Sequence, residues 1–463
     1  MTTRPVNPQD ASFLFMETRE TPMHVAGLMT FALPDRAPPD FCHRLMQEFR
    51  DSREFYSPWN RRLASPWVKS PVNAWVEDND LDVEHHVRHS ALPHPGGERE
   101  LGQLVARLHS HPLDFTRPLW EFHLIEGLEG KRFAVYIKMH HSLIDGISGI
   151  RLLQRSMSTD PAELDKPPFW SVPPPERGTQ GRPPAASGAN IRSLLGDVGR
   201  AVRGLIKAAR DPNDALIAPF QAPASVLNRR IKGQRRFATQ QFSLERLKTL
   251  AKSLECTLND IVLAICSAAL RRFLKEANAL PARSLTAGVP MSLRSKDDPD
   301  DAETGTAIAF IVATLGTDIA DPRKRLAAIC ASTRRAKEQV QGLSRKAMET
   351  YGLLVMAPYV VQMMAGLGGR MRPVFNLVVS NVPGPSHSLY LRGARMEASY
   401  PVSIPSHGSA MNITCQSYAG TLNFGFTGCR DTLPHMQRIA VYAAEALEEL
   451  ESVVSQRRKS KKA

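Results

Sequence analysis

The sequence predicts two α/β domains with mixed sheets, joined by a long linker. Three observations carry this. The chain has 463 residues, and single domains usually hold about 100–200. Helix-like and strand-like periodicities occur in both halves, and 42% of the residues are hydrophobic, enough to build real cores. The composition breaks near Lys166, where Pro167 to Asn190 runs through PPFW, VPPPE and GRPPAASG. A stretch so rich in Pro, Gly and Ser cannot hold a regular ladder and reads as an inter-domain linker. The expected layout is residues 1–165, a linker region over 166–236, and a second domain over 237–463.

In the first region, helical spacing covers Phe41 to Arg50 and Leu101 to Leu108. Phe133, Val135, Ile137 and Met139 alternate with more polar neighbours, as a strand does. Within the linker region, Ile191 to Arg210 places Leu194, Leu195, Val198, Val202 and Leu205 at spacings of three and four. Arg192, Arg200, Arg203, Lys207 and Arg210 occupy the other positions. That is a basic amphipathic helix, weakened by three glycines and in need of a surface. It docks on the protein's own core or a second protomer, as in a homo-oligomer, or it inserts into a membrane interface; the sequence leaves these open. In the second region, Ser243 is a candidate cap for a helix carrying Leu247 and Leu250. Thr257 begins a helix too apolar to lie on the surface. Strand-like runs follow in SLTAGVPMSL, AIAFIVATLG, FNLVVSNVPG and TLNFGFTG, and Leu433 to Val453 reads as a closing amphipathic helix.

The formal net charge of +13 favours an anionic partner: nucleic acid, an acidic membrane surface or a phosphorylated substrate. No nucleic-acid module is present to support the first. No run approaches the ~18 apolar residues that span a bilayer, and Met1 to Phe15 lacks a charged segment followed by an apolar one, so a cytoplasmic protein is expected. The six cysteines are scattered without a C-x-x-C pair and suggest buried thiols, not zinc or disulfides.

The chemistry centres on Met139 to Gly149, MHHSLIDGISG. An H-H-x-x-x-D-G match arises by chance in roughly one chain in a thousand of this length. It follows the alternating strand, so a histidine there is held rigidly while facing a cleft. Strand parity sets His141 on the side of Ile137 and Met139, and His140 on the side of Lys138, so only one of the two can act at a given site.

This segment resembles the HHxxxDG signature of the coenzyme A-dependent acyltransferase superfamily, which includes chloramphenicol acetyltransferases and condensation domains. Further segments narrow the resemblance to the bacterial wax ester synthase/diacylglycerol acyltransferase family. They are NPQDASFLFMETRETPMHVAGL, RPLWEFHLIEGL, TLNDIVLAICSAALRRFL, AGVPMSLR, VVSNVPGP and GSAMNITCQSYAGTLNFGF, in the family's order over nearly the whole chain except the linker. The resemblance implies two chloramphenicol-acetyltransferase-like domains with the active site in a tunnel between them. It assigns His141 as general base, with His140 supporting. Asp145 becomes the residue that holds the motif loop, with Arg294 its candidate partner, and Gly146 the position that lets the turn close. Pro118, Leu119 and Trp120 match the PLW motif, and Asn259 and Asp260 the ND motif; both would shape the surroundings of the site.

The implied reaction suits these residue types. A neutral imidazole can take the proton of a poorly acidic alcohol as its oxygen attacks a thioester. The resulting oxyanion needs a donor. Ser380 and Asn381 in SNVPG are candidates, although a tight turn explains Asn-Val-Pro-Gly at least as well. No G-x-S-x-G elbow offers a covalent route. The expected function is transfer of a long-chain acyl group from acyl-CoA, as substrate and with no bound cofactor, to a fatty alcohol or diacylglycerol at a membrane or lipid-droplet surface. The rivals are a carrier-dependent condensation-type acyltransferase and a catalytically silent lipid-droplet-binding protein.

Other signals are discounted. His85, His86 and His89 with Asp78, Asp80 and Asp82 complete no fixed metal spacing, so no metal is expected. His109 and His111 read as a turn before PLDF. Trp59, Trp67 and Trp75 read as core packing before they read as an acyl channel.

Overall fold

The computed structural model describes residues 3–68, 73–144, 146–173, 219–292, 308–340 and 345–460. The first half runs β1 (Arg4–Pro5), α1 (Pro8–Met16), β2 (His24–Ala32), α2 (Phe41–Asp51), β3 (Arg61–Leu63), β4 (Ala74–Glu77), α3 (Val83–His86), β5 (Val87–Ala91), α4 (Glu98–Ser110), β6 (Trp120–Leu128), β7 (Arg132–His140) and α5 (Gly146–Arg155). The second half begins with β8 (Arg235–Ser243), α6 (Leu244–Ser253), α7 (Leu258–Glu276), β9 (Thr286–Ser292), β10 (Ile308–Thr314), α8 (Pro322–Val340) and α9 (Arg345–Met364). It ends with β11 (Leu377–Val382), β12 (Tyr390–Leu391), β13 (Ala394–Val402), β14 (Met411–Tyr418), β15 (Thr421–Cys429) and α10 (Arg438–Ser460).

Two six-stranded mixed sheets organise the chain, ordered β12-β13-β2-β7-β6-β5 and β10-β9-β11-β14-β15-β8. The alternation in β7 shows why the first sheet packs on both faces. Phe133, Val135, Ile137 and Met139 enter a cluster with Trp120 and Trp170, while Ala134 and Tyr136 lie under Leu101, Leu104 and Val105 of α4. Lys138, expected to mark a polar face, is fully buried. Its ammonium donates to the carbonyls of Leu108 and His111 and pairs with Glu121 at 2.9 Å. Burial alone would raise the Glu121 carboxyl; the hydrogen bond from His123 and the Lys138 charge outweigh it and hold the group at about 2.

In the second half, the Ser243 hydroxyl accepts the Arg246 amide at 3.3 Å and starts α6. Thr257 and Asp260 form a reciprocal capping box that starts α7. The apolar residues of α7, from Ile261 to Leu274, are buried in the largest core cluster. The four expected strand runs lie in β9, β10, β11 and β15.

The second half lends strands to the first sheet. β13 pairs antiparallel with β2, from Arg395 opposite Ala32 to Val402 opposite Ala26. The second half thus supplies two strands at one side of the first sheet, β13 against β2 and β12 outside it. β13 also runs close to β15: a Cβ on Gly425 would stand 1.8 Å from the Pro401 carbonyl oxygen. Phe169 and Trp170, at the start of the Pro-rich region, are buried in the first core against Trp120 and Phe122. Those residues therefore pack as core, because aromatic area outweighs the turn-forming composition around them. The predicted basic helix, Ile191 to Arg210, lies outside the described residues. Among the described residues, no single helix is long and apolar enough to cross a membrane. All six cysteines are free.

Gly425→Ala should push Pro401 and β13 away from the second sheet and destabilise the fold by about 1–3 kcal/mol. Urea unfolding checks this, and an unchanged midpoint would contradict the contact.

Candidate active site

The site is built at the end of β7. His140 and His141 leave the strand on opposite sides, and their backbone amides are fixed from two directions. The His140 amide donates to the Leu119 carbonyl, and the His141 amide donates to the Met23 carbonyl, both at 2.9 Å. Pro118, Leu119 and Trp120 are all buried, so the PLW segment is an internal buttress. The Trp120 indole N–H donates to the Trp59 carbonyl at 2.7 Å, and the Trp120 carbonyl is bonded by His86 Nδ1 at 2.7 Å.

The His140 ring is fully buried. Its Nδ1 accepts the Ser142 amide at 3.1 Å, which leaves Nε2 to donate to Glu17 Oε2 at 2.9 Å. The same carboxylate oxygen accepts the Met23 amide at 2.6 Å. Glu17 therefore ties His140 to the segment whose Met23 carbonyl holds His141. His141 lies across the strand from this network. Its ring stacks on Phe13 of α1, with centroids 4.0 Å apart and planes 16° from parallel.

His141 opens into a cavity of about 370 Å³ between the sheets. Val25, Gly27 and Met29 of β2, Met139 of β7, and Leu153 and Met157 of α5 and its end form an apolar wall. On the opposite wall, Ser380 of β11 and Asn412, Thr414 and Gln416 of β14 supply polar groups, flanked by Val378 and Val382. Ser399 and Ser403 complete it: Ser399 donates to Gln416 at 3.0 Å, the Ser403 and Thr414 hydroxyls are 2.7 Å apart, and Thr414 donates to Asn412 at 2.8 Å.

The structure brings His141, Ser380 and Asn381 to one cavity. Ser380 and Asn381 lie in β11, so the strand-like reading of FNLVVSNVPG holds through Val382; parallel pairing with Thr414 and Cys415 holds them extended. Gly146 is the first residue of α5. Asp145 and Arg294 lie outside the described residues. Asn259 and Asp260 do not line the cavity. Asp260 caps α7 and accepts the Thr333 hydroxyl at 2.7 Å, a structural duty in the second core.

Phe13, Glu17 and the Asn412-Thr414-Gln416 ladder were missed by sequence reasoning. The ladder was legible as polar alternation in MNITCQSY. Glu17 was signalled only by a carboxylate in an otherwise apolar helix end. His109 and His111 were expected in a turn, yet His109 is in the last turn of α4 and buried. Its Nε2–H donates to the Ser403 carbonyl across the two halves, and Nδ1 accepts the Tyr136 hydroxyl. Of the tryptophans, Trp59 and Trp75 are buried and Trp67 is 85% exposed; none lines the cavity. Among the described residues, no three His, Cys, Asp or Glu side chains are placed to hold a metal.

Residues 6–262 match the wax ester synthase/diacylglycerol acyltransferase catalytic domain, and residues 304–451 match the WS/DGAT C-terminal domain. A Mycobacterium tuberculosis protein named as a diacylglycerol O-acyltransferase is 48% identical over 97% of both chains. The solved wax ester synthase/diacylglycerol acyltransferase of Marinobacter aquaeolei is 38% identical, with a TM-score of 0.79 over 98% of this chain and 100% of that one. The starter condensation domain of rhizomide synthetase, 12% identical, shares the fold with a TM-score of 0.56 over 98% of this chain and 95% of that one.

Burial pushes His109 down to about 3 and His86 down to about 4, so both are neutral when folded. Unfolded, each binds a proton near pH 6.5. Stability from each is complete above that pH and is lost as pH falls toward the folded value, by about 1.4 kcal/mol per pH unit per histidine. The stability gap between the native protein and His109→Gln should therefore narrow from pH 7 to pH 5 in urea titrations; a constant gap would contradict a neutral buried His109.

Proposed function

The chain belongs to the wax ester synthase/diacylglycerol acyltransferase family and is an O-acyltransferase; we propose that it moves a long-chain acyl group from acyl-CoA to a fatty alcohol or diacylglycerol, with His141 as general base. The observation that carries this reading is the position of His141 at an inter-sheet cavity with one apolar wall and polar groups on the other. An apolar chain fits the first, and the polar atoms of a reacting ester fit the second.

In this mechanism the neutral His141 ring takes the hydroxyl proton as the acceptor oxygen bonds to the thioester carbonyl carbon. The carbonyl oxygen becomes an oxyanion, and Ser380 and Asn381 are the donors we assign to it. Collapse breaks the carbon–sulfur bond, and the protonated ring returns its proton to the leaving thiolate. His140 does no proton transfer; with Glu17 it sets the backbone from which His141 projects. Asp145 and Arg294 are assigned to holding the motif loop. Stacking on Phe13 limits the rotation of the His141 ring and covers one face from water. We place the protein on the cytoplasmic side, peripherally on a membrane or lipid inclusion, where its acceptor is concentrated; the basic region at 191–210 and self-association are further means of holding it there.

Thiol release from palmitoyl-CoA, with and without hexadecanol or dioleoylglycerol, tests the reaction. His141→Ala should lower acceptor-dependent release by roughly 10²–10⁴-fold. A folded variant that keeps its rate would remove His141 from the chemistry, and no acceptor-dependent release from the native protein would sink the substrate assignment. Gly27 offers a second test: no atom lies within 4 Å of where its Cβ would stand. Gly27→Val should project into the cavity and lower turnover with hexadecanol relative to octanol; an unchanged ratio would mean that the chain does not pass β2.

A further inference from the structure

α9 is apolar where a water-facing helix should be polar. From Thr350 to Met364 it carries no charged side chain. Tyr351, Val355 and Met363 are buried, as an inward stripe should be. Leu354, Ala357, Val361 and Met364 recur at spacings of three and four on the opposite side, and all are exposed, Val361 by 62%. The turn that follows extends the stripe with Leu367 and Met371, the latter 52% exposed. Exposed apolar residues scattered singly are ordinary; a contiguous row is not.

The row is held in place. Arg230 donates to the carbonyls of Gly366 and Gly368, and a Cβ on Gly369 would stand 2.7 Å from the Arg230 amide nitrogen. Leu367 and Met371 therefore project from a clamped turn. Arg370 and Arg372 are exposed beside them. The inner side of the helix reaches the site: Tyr359, Val360 and Met363 pack with Phe13, Met16, Met23 and Ile404. Phe13 stacks on His141, and Ile404 lines the cavity.

We propose that the outer face of α9, with the turn to Met371, seats the protein on an anionic lipid surface; this rests on the lipid-acceptor reading given above. The charge-free part of the helix, Thr350 to Met364, is shorter than the ~20 apolar residues that span a bilayer, and it lies in the interface plane, apolar stripe down, with Arg370 and Arg372 at headgroup level. Charge complementarity selects this occupant. Arg370 and Arg372 rim the row with positive charge, which an anionic headgroup layer complements. The face also lies on the far side of the element that packs against Phe13, so an acceptor leaving the lipid has one helix between it and the site.

Flotation of the full chain with vesicles of dioleoylphosphatidylcholine and dioleoylphosphatidylglycerol, without acyl-CoA, tests the face. The doubly substituted Val361→Glu, Met364→Glu protein should lose about tenfold or more of the bound fraction, while Val361→Leu, Met364→Leu keeps it. Arg370→Glu with Arg372→Glu should weaken binding to vesicles containing the anionic lipid more than to phosphatidylcholine alone. Far-UV circular dichroism establishes that each variant is folded. Full binding by the glutamate variant overturns the proposal. So does a native dimer, seen by sedimentation, that the glutamate variant turns into a monomer. Flotation needs no turnover, so failure here leaves the acyl-transfer reading standing, and absent thiol release with intact flotation does the reverse.

Discussion

The close approach of Pro401 to Gly425 is the constraint on which the rest of the molecule depends. β13 is hydrogen-bonded into the first sheet yet lies against β15 of the second. Any side chain on Gly425 would occupy the space of the Pro401 carbonyl. The spacing of the sheets at this point is thus set by backbone, which does not change rotamer. The cavity lies beside this contact, lined by Pro401, Val402 and Ser403 from one sheet and Asn412, Thr414 and Gln416 from the other. Its width follows from a contact that side chains cannot relax.

The adjacent histidines illustrate how a strand end can set two neighbouring rings in different surroundings. One ring is sealed in a hydrogen-bonded network through Glu17 and Ser142. The other meets an aromatic face and an open cavity. The difference arises from strand parity alone, since the two residues are neighbours. The buried ring costs little because both nitrogens are satisfied. What it contributes is a fixed origin for the second ring. The His109 bridge from Tyr136 to the Ser403 carbonyl adds a cross-link between the halves close to the same cavity.

Much of this was legible in the sequence, for physical reasons that differ by element. Helices with one apolar stripe, such as α2 and α4, announce themselves because burial is one-sided. The side of the strand on which His141 lies followed from period-two geometry. The placing of β13 in the first sheet was not legible, because ARMEASYPV has the pattern of a strand but nothing in it names the partner strand. Lys138 misled for a related reason: a charge in an alternating strand reads as solvent-facing, and only the fold supplies Glu121 and two carbonyls to receive it. Phe169 and Trp170 misled because composition averages over a window, while two aromatic side chains suffice to anchor a segment. Ser380 and Asn381 were found through their motif, but their extended backbone depends on parallel pairing with β14, a contact made thirty-four residues later.

The order in which the chain leaves the ribosome gives the lent strand a further consequence. The first sheet has β2, β7, β6 and β5 available once residue 140 has emerged. Its flank along β2 stays bare until Val402 follows. For the intervening synthesis, that edge presents unpaired amides and carbonyls, the form of surface that recruits stray strands from other nascent chains. A second half supplied in trans would meet an open edge of the right register. Splitting the gene between the halves should therefore give fragments that complement each other, and the first half alone should leave its sheet open along β2.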